Sequence, residues 1–476
     1  MNTIKKNFLY NIVYQALIFA IPLIVSPFLA RTLGAEGIGI YSYTHSIVYY
    51  FMLLTLLGVN NYGNRSIAKV RDNKDELSKT FWSIYLFQLL TGIVMLLFYA
   101  AYIIIFDNQY ALYATIEILF ILSSILDINW LFFGLEEFKK TITRNTFVKL
   151  GTLALIFALI RTPDDLWKYV LIMSAMTLLG QLLLWYYLKG QIRLVKVSIK
   201  DVKKHIKPNL TLFVPVIAVS IYKIMDKIMI GGISDISEVG YYESAEKIIQ
   251  VPLAFISALG TVMLPRVSNM LSNGGDKKAM MYLSKSIAFV MFLSSIMACS
   301  LVAIGYEFAP LFFGDDFQKA GTIIMILSVT ILFVSFANVI RTQYLIPKEK
   351  DKIYIRSVFL GAIINLAMNL IFIPPYGSIG ACFGTIAAEF IVMFYQAFAV
   401  RRELPICQYL KQSFPFLIKA IITFGFIYPL NLVNFNPYVR LAAQILAGVA
   451  IYSLLNFRYI SSIIDFKTLK TKLTHK

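Results

Sequence analysis

Lys223, Asp226, Lys227, Glu243, Glu246 and Lys247 stand inside two stretches, 208–230 and 240–264, that otherwise read as lipid-spanning. A charge at the bilayer centre costs several kcal/mol, so charges at that depth face a cavity or a partner and mark a pathway. Spacings of three and four residues bring 223, 226 and 227 onto one helical face, and 243, 246, 247 and Gln250 onto one face of the next helix. Three cations stand against three acids, which leaves two readings open. One is a self-neutralised network tying span seven to span eight, with Glu243 and Lys247 a favourable i,i+4 pair. The other is a network that faces a cavity and rearranges in transport, a latch that an anionic ligand competes to open.

Other charged residues fall outside this cluster. Arg31, at the outer end of the first span, is placed to face a cavity mouth. Arg341, Lys419 and Arg440 have no acidic neighbour at helical spacing. Snorkelling to the interface accounts for them. If they instead line a cavity, they suit an anionic substrate, and arginine matches phosphate through its bidentate fork. Asp127 and Glu389 are candidate coupling residues, and Glu117 joins them as an intramembrane carboxylate. Such a group carries a proton or Na⁺, or pairs with a cation on another helix. His45 in span two titrates near neutral pH if it is not held in a hydrogen bond.

The elements that must position these groups follow from composition. Of 476 residues, 58% are hydrophobic and 15% charged, and mean hydropathy is +0.71. A soluble domain carries about 25% charged residues. This is therefore an all-α polytopic membrane protein, with about fourteen apolar stretches of spanning length. The net charge of +18 is distributed by topology. One set of loops carries 33 Lys and Arg, while the other carries only Arg31, Arg161, Lys168 and Lys319. That asymmetry places both termini in the cytoplasm and assigns most of the charge to orientation and anionic lipid, with no nucleic-acid partner. The first apolar stretch, 8–30, is too long for a cleavable signal. Cys299, Cys382 and Cys407 lack ligand spacing and the three histidines lie far apart, so no metal site and no cofactor are expected. No GxxxxGK[ST] sequence is present, so energy, if used, comes from an ion gradient, the membrane potential or another protein.

The long basic connection 189–207 divides the chain into an amino-terminal lobe of six spans, 1–188, and a second six-span lobe, 208–400. Two further spans and a basic cytoplasmic tail occupy 401–476. An internal match supports a repeated architecture. Ile38-Gly39-Ile40-Tyr41-Ser42, opening span two, matches Val239-Gly240-Tyr241-Tyr242-Glu243, opening span eight. Pro22, Pro27, Pro215 and Pro252 predict kinks in spans one, seven and eight.

Several stretches, in order, resemble one family. They are Arg31-Thr32-Leu33-Gly34-Ala35-Glu36-Gly37; Trp130-Leu131-Phe132-Phe133-Gly134-Leu135-Glu136-Glu137-Phe138-Lys139 with Arg144-Asn145; and Gly240 to Lys247 running on to Leu264-Pro265-Arg266-Val267-Ser268. Leu311-Phe312-Phe313-Gly314, then Asn365, Asn369 and Ile373-Pro374-Pro375-Tyr376-Gly377-Ser378-Ile379-Gly380-Ala381, complete the set. Together they resemble the polysaccharide repeat-unit flippases (Wzx-type) of the multidrug/oligosaccharidyl-lipid/polysaccharide exporter superfamily. The resemblance implies a two-lobed bundle in a bacterial cytoplasmic membrane. It implies alternating access and a substrate oligosaccharide on undecaprenyl pyrophosphate, bound for capsule, exopolysaccharide or O-antigen. The residues assigned to that substrate are Arg31, Lys223, Asp226, Lys227, Glu243, Glu246 and Lys247. Membrane lipids, a polysaccharide polymerase, chain-length machinery and a coupling H⁺ or Na⁺ are the expected partners. The alternatives are a lipid II flippase for peptidoglycan and a cation-coupled multidrug exporter. A membrane glycosyltransferase needs a catalytic loop longer than any here.

Overall fold

The computed structural model describes residues 3–105, 109–272, 275–433 and 435–463, with side chains placed except for those of 3–20, Tyr222, Ser272 and Ile463. The expected basic tail beyond 463 and the side chains of Lys5 and Lys6 lie outside these described residues. Long apolar stretches without water to satisfy their backbone must close every N–H and C=O within the segment. The described residues accordingly form helices joined mostly by short turns, with a longer non-helical connection over 187–198 and no strand among them.

The chain forms two compact units, 1–243 and 244–476, dividing inside one helix. The first unit contains α1 (Thr3–Leu56), α2 (Val59–Val70), α3 (Lys74–Ile105), α4 (Ala111–Ile125), α5 (Asn129–Gly134), α6 (Phe138–Leu159), α7 (Leu166–Tyr186) and α8 (Ile199–Ile233). It ends with the first turns of α9 (Ile236–Ser272). The second unit holds the rest of α9 and then α10 (Asp276–Phe313), α11 (Gln318–Leu327), α12 (Thr330–Ile340), α13 (Asp351–Tyr376) and α14 (Ser378–Ala399). It closes with α15 (Ile406–Ile427), α16 (Pro437–Leu455) and α17 (Phe457–Ile463).

Among the described residues eleven helices are long and apolar enough to cross a membrane, or twelve with a pair bent by 44° between α11 and α12. The sequence count of fourteen is not reached: its first two spans are the arms of α1, which run into one another through Gly34 at φ 70°, ψ 179°, and α8, expected as span seven, is not among the eleven. That left-handed φ suits glycine because no Cβ is present to clash. The departure from helical geometry in α1 therefore falls at Gly34, while Pro22 and Pro27 sit inside helix. The basic connection is also shorter than expected. Its residues 199–207 are the first turns of α8, opened by a capping box in which Ser198 and Asp201 satisfy each other's backbone N–H. That hydrogen-bonded role, reinforced by Lys79, holds the Asp201 carboxyl well below the usual range. Asp165 accepts from the Lys168 ammonium and from the backbone N–H groups of Arg161 and Thr162 at the head of α7.

The core of the first unit explains one of the sequence motifs. Trp130 of α5 is fully buried beside Phe81, Ile84 and Phe132. Its indole N–H donates to Gln88 Oε1 at 3.1 Å, and the Gln88 amide donates to the carbonyls of Ser124 and Asp127. The amide thus satisfies carbonyls freed where α4 breaks before α5. Arg144 donates to Asn129 from α6. The Trp130-to-Gly134 motif is a packing plug.

His205 of α8 ties three helices. The Tyr62 hydroxyl lies 2.7 Å from Nδ1 and Ser83 Oγ 2.8 Å from Nε2. Ser83 spends its hydrogen on the Thr80 carbonyl, which assigns the proton to Nε2 and makes Tyr62 the donor to Nδ1. Burial, and then Lys204, push the imidazole down to about 4 from 6.5, against an opposing effect of Asp201. A group depressed in the fold resists protonation there, so the stability it supplies is present above pH 6.5 and lost as pH falls toward 4. The detergent-purified protein is expected to lose unfolding temperature between pH 7 and 5, and His205→Gln to flatten that slope. An unchanged slope in the variant rejects the assignment.

The second unit supplies a correction. Arg440, read as unpaired, is bonded to Glu307 Oε2 at 2.7 Å and donates to the carbonyls of Asn431 and Val433. Glu307 lies 133 residues away, so helical spacing does not reveal it. Lys419 donates to Asn456 Oδ1 at 3.2 Å, and Arg341 stacks over Tyr354 with 5.3 Å to the ring centroid.

Candidate translocation site

The charged seam in the first unit is built where α1, α8 and the opening of α9 meet. A Cβ placed on Gly39 would lie 2.0 Å from the Ile236 carbonyl oxygen, and one on Gly240 would lie 1.9 Å from that of Ala35. Only glycine permits that backbone approach. The two contacts are related by one register shift, since Ala35 stands to Gly39 as Ile236 stands to Gly240. These are the glycines of the internal match between 38–42 and 239–243. Matched positions therefore face one another across a locally symmetric crossing.

One turn on, the same register brings Ser42 against Glu243, and Ser42 Oγ donates to Glu243 Oε2 at 3.0 Å. Lys227 Nζ reaches the same oxygen at 2.6 Å, with both side chains less than one-fifth exposed. Neighbouring Tyr242 donates its hydroxyl to Asp226 Oδ2 at 2.8 Å, and Asp226 is buried. Farther along α1 the Tyr50 hydroxyl donates to the Ser220 carbonyl of α8 at 3.2 Å. In this partly desolvated setting a charge-assisted bond is stronger than at a surface, and removing one partner strands the other. The arrangement is closed: Glu243 is the acceptor that joins three helices.

The predicted site residues divide accordingly. Lys227, Glu243 and Asp226 come together, with Tyr242 and Ser42 completing the group. Lys223 shares the helix but is exposed, and Arg31 is exposed three residues before the Gly34 break. Glu246 and Lys247 are half-buried in the second unit, where Glu246 accepts from Gln250 at 3.3 Å. Asp127 caps the break before α5, accepting from the backbone N–H of Asn129 at 2.9 Å and from its side-chain amide at 2.6 Å. Glu389 is half-buried in α14.

Glu117 of α4 is fully buried, accepts from Thr44 Oγ1 at 3.1 Å through Oε1, and has no described hydrogen bond at Oε2. Around it α1 contributes Tyr41, stacked on His45 at 5.3 Å and edge-on to Tyr169 of α7 at 4.8 Å. Sequence reasoning missed Ser42, Thr44, Tyr169 and Tyr242. For Ser42 and Thr44 the signal was the hydroxyl and aromatic content of 41–50, whose three- and four-residue spacing marks polar positions inside an apolar helix.

The described residues thus form a polytopic helical membrane protein with a charged seam in its first unit. The chain belongs to the polysaccharide biosynthesis protein family, whose family model matches residues 4–271. It is similar to a protein of Escherichia coli (strain K12) provisionally named an O-antigen transporter, 23% identical over 411 residues covering 85% of this chain and 99% of the relative. It is also similar to a protein of Haloferax volcanii, provisionally named a low-salt glycan biosynthesis flippase, 26% identical over 243 residues and half of each chain. In fold it matches the lipid II flippase MurJ, with a TM-score of 0.78 at 17% identity over 96% of this chain and 100% of that one. An inward-facing multidrug transporter of the MATE family matches with a TM-score of 0.64 at 12% identity, over 84% and 96%. The resemblance to Wzx-type flippases drawn from the ordered motifs is borne out. The relatives are transporters and flippases, not enzymes.

Proposed function

We propose that this protein turns an oligosaccharide repeat unit, carried on undecaprenyl pyrophosphate, from the inner to the outer leaflet of a bacterial cytoplasmic membrane, for O-antigen, capsule or exopolysaccharide. The observation that carries this reading is the end-to-end match to the O-antigen transporter, together with a family model reaching over more than half the chain. A lipid II substrate is less well supported, because the likeness to MurJ is one of fold at 17% identity.

The seam gives a mechanism without covalent chemistry. In the closed arrangement Glu243 neutralises Lys227 and joins α1, α8 and α9. A pyrophosphate entering the seam offers Lys227 a more highly charged acceptor, releases Glu243, and opens the crossing at Gly39 and Gly240. Lys223 and Arg31, both exposed, supply further positive charge along the way. Alternating access is the accompanying reading, with both termini in the cytoplasm. Glu117, buried against Thr44, is the group best placed to carry a coupling proton, ahead of Asp127, whose carboxylate is engaged in a cap. A polymerase and chain-length machinery would receive the product.

Deleting the gene is expected to abolish surface polysaccharide and to accumulate lipid-linked repeat units inside the cell. Normal polymer without accumulation overturns the reading, and rescue of a lipid II flippase mutant moves the substrate to peptidoglycan.

A further inference from the structure

We infer that the first unit carries a binding site for an anionic phospholipid, separate from the seam, in a groove between α1, α3 and the first turns of α8. The groove has a volume of about 420 Å³, and Leu54, Leu90, Val94, Val202 and Ile206 line it. That volume lies within the usual range for a small-ligand pocket, enough for part of one hydrocarbon chain. Leu90, Val94 and Ile206 are exposed, so the groove opens onto the lipid-facing surface.

Lys203 is the charged residue in the lining. Lys200 and Lys207 lie three and four residues to either side of it on the same helix. None of the three has an ion pair among the described residues, whereas neighbouring Lys204 and Lys79 share Asp201. An apolar slot headed by these lysines complements a chain that ends in a phosphate.

The groove is closed at its back. Beside Leu57 and Ile206, a Cβ on Gly58 would lie 2.6 Å from the Asn209 carbonyl oxygen, and Asn209 and His205 are buried. A ligand seated here cannot also place a large head group in the interior. That favours a resident phospholipid over the polyprenyl chain of a transported sugar. Its occupancy would brace α8, the helix that carries Asp226 and Lys227.

The test uses the full chain, purified in detergent, and native mass spectrometry with added phosphatidylglycerol or phosphatidylcholine of identical acyl chains. One phosphatidylglycerol is expected to be retained in preference. Lys203→Gln is expected to weaken retention about fivefold, the effect of one lysine near a phosphate surface. Leu90→Trp, at an exposed position that tolerates bulk, fills the slot and abolishes it. Equal retention of the two lipids, or retention unchanged in both variants, overturns the proposal. So does displacement of phosphatidylglycerol by equimolar undecaprenyl phosphate, which assigns the groove to the polyprenyl chain.

Discussion

Glu243→Gln is expected to tighten binding of a pyrophosphate-bearing lipid about tenfold and to slow its turnover by a similar factor. In the closed seam the Glu243 carboxylate is the acceptor for both Lys227 and Ser42. The amide keeps the shape and a hydrogen-bond acceptor but removes the negative charge. Lys227 then meets an incoming anion without competition from the Glu243 charge, so the bound state deepens and release slows. Lys227→Ala acts in the opposite sense. It removes the cation and strands a half-buried carboxylate, a loss of about 3 kcal/mol when one member of a buried pair is deleted. Both binding and transport are expected to fall. The charge-reversed pair, Lys227→Glu with Glu243→Lys, restores the link between helices but moves the cation to α9, so folding recovers more than transport does. Calorimetry with undecaprenyl pyrophosphate separates these outcomes. Weaker binding in Glu243→Gln rules out the latch, as does unchanged binding in Lys227→Ala.

Gly240→Ala and Gly39→Ala are expected to reduce transport by at least about tenfold, because the backbone cannot hold its present crossing with a methyl group in place. The added carbon would lie 1.9 Å from the Ala35 oxygen in one variant and 2.0 Å from the Ile236 oxygen in the other. Ordinary carbon–oxygen contacts are about 3.3 Å or longer, so the two helices at the crossing must part by more than about 1 Å. That displacement also pulls Ser42 away from Glu243. The seam is expected to become accessible, read as faster aqueous maleimide labelling of a cysteine at Ile38, now buried, in a background lacking the native cysteines. Gly232→Ala is the control, because nothing lies within 4 Å of a Cβ there. Full activity in both crossing variants shows that the close approach is not part of the transport cycle.

The two predictions rest on features of unequal legibility. The helical membrane bundle was readable because hydropathy and loop charge are properties of local sequence. The crossing was half readable: the match of 38–42 with 239–243 marked the right residues, but only tertiary geometry shows that the matched glycines touch. Asp226, Lys227 and Glu243 were found as intramembrane charges. Their pairing was not, since Lys227 to Glu243 and Ser42 to Glu243 depend on how three helices cross rather than on spacing along one. Arg440 and Glu307 illustrate the same limit in the second unit. Lys223 illustrates the reverse, a residue on the predicted face that lies exposed beside buried Asp226. The break in α1 fell at Gly34 because a left-handed φ interrupts helical geometry, whereas the two prolines leave it intact here.

The seam thus changes from a row of charges into a closed contact in which Glu243 is shared by a lysine and a serine on different helices. The most direct test is translocation itself. Wild-type protein, Lys227→Ala and Glu243→Gln would be reconstituted in vesicles with an undecaprenyl-pyrophosphate-linked oligosaccharide. The fraction of the sugar reached by an external glycosidase would be followed in time. The account predicts rapid exposure of the inner-leaflet pool with wild type and slow exposure with both variants, with tighter substrate binding in Glu243→Gln alone. Exposure no faster than in protein-free vesicles contradicts the flippase, and wild-type rates in both variants contradict the seam as its site.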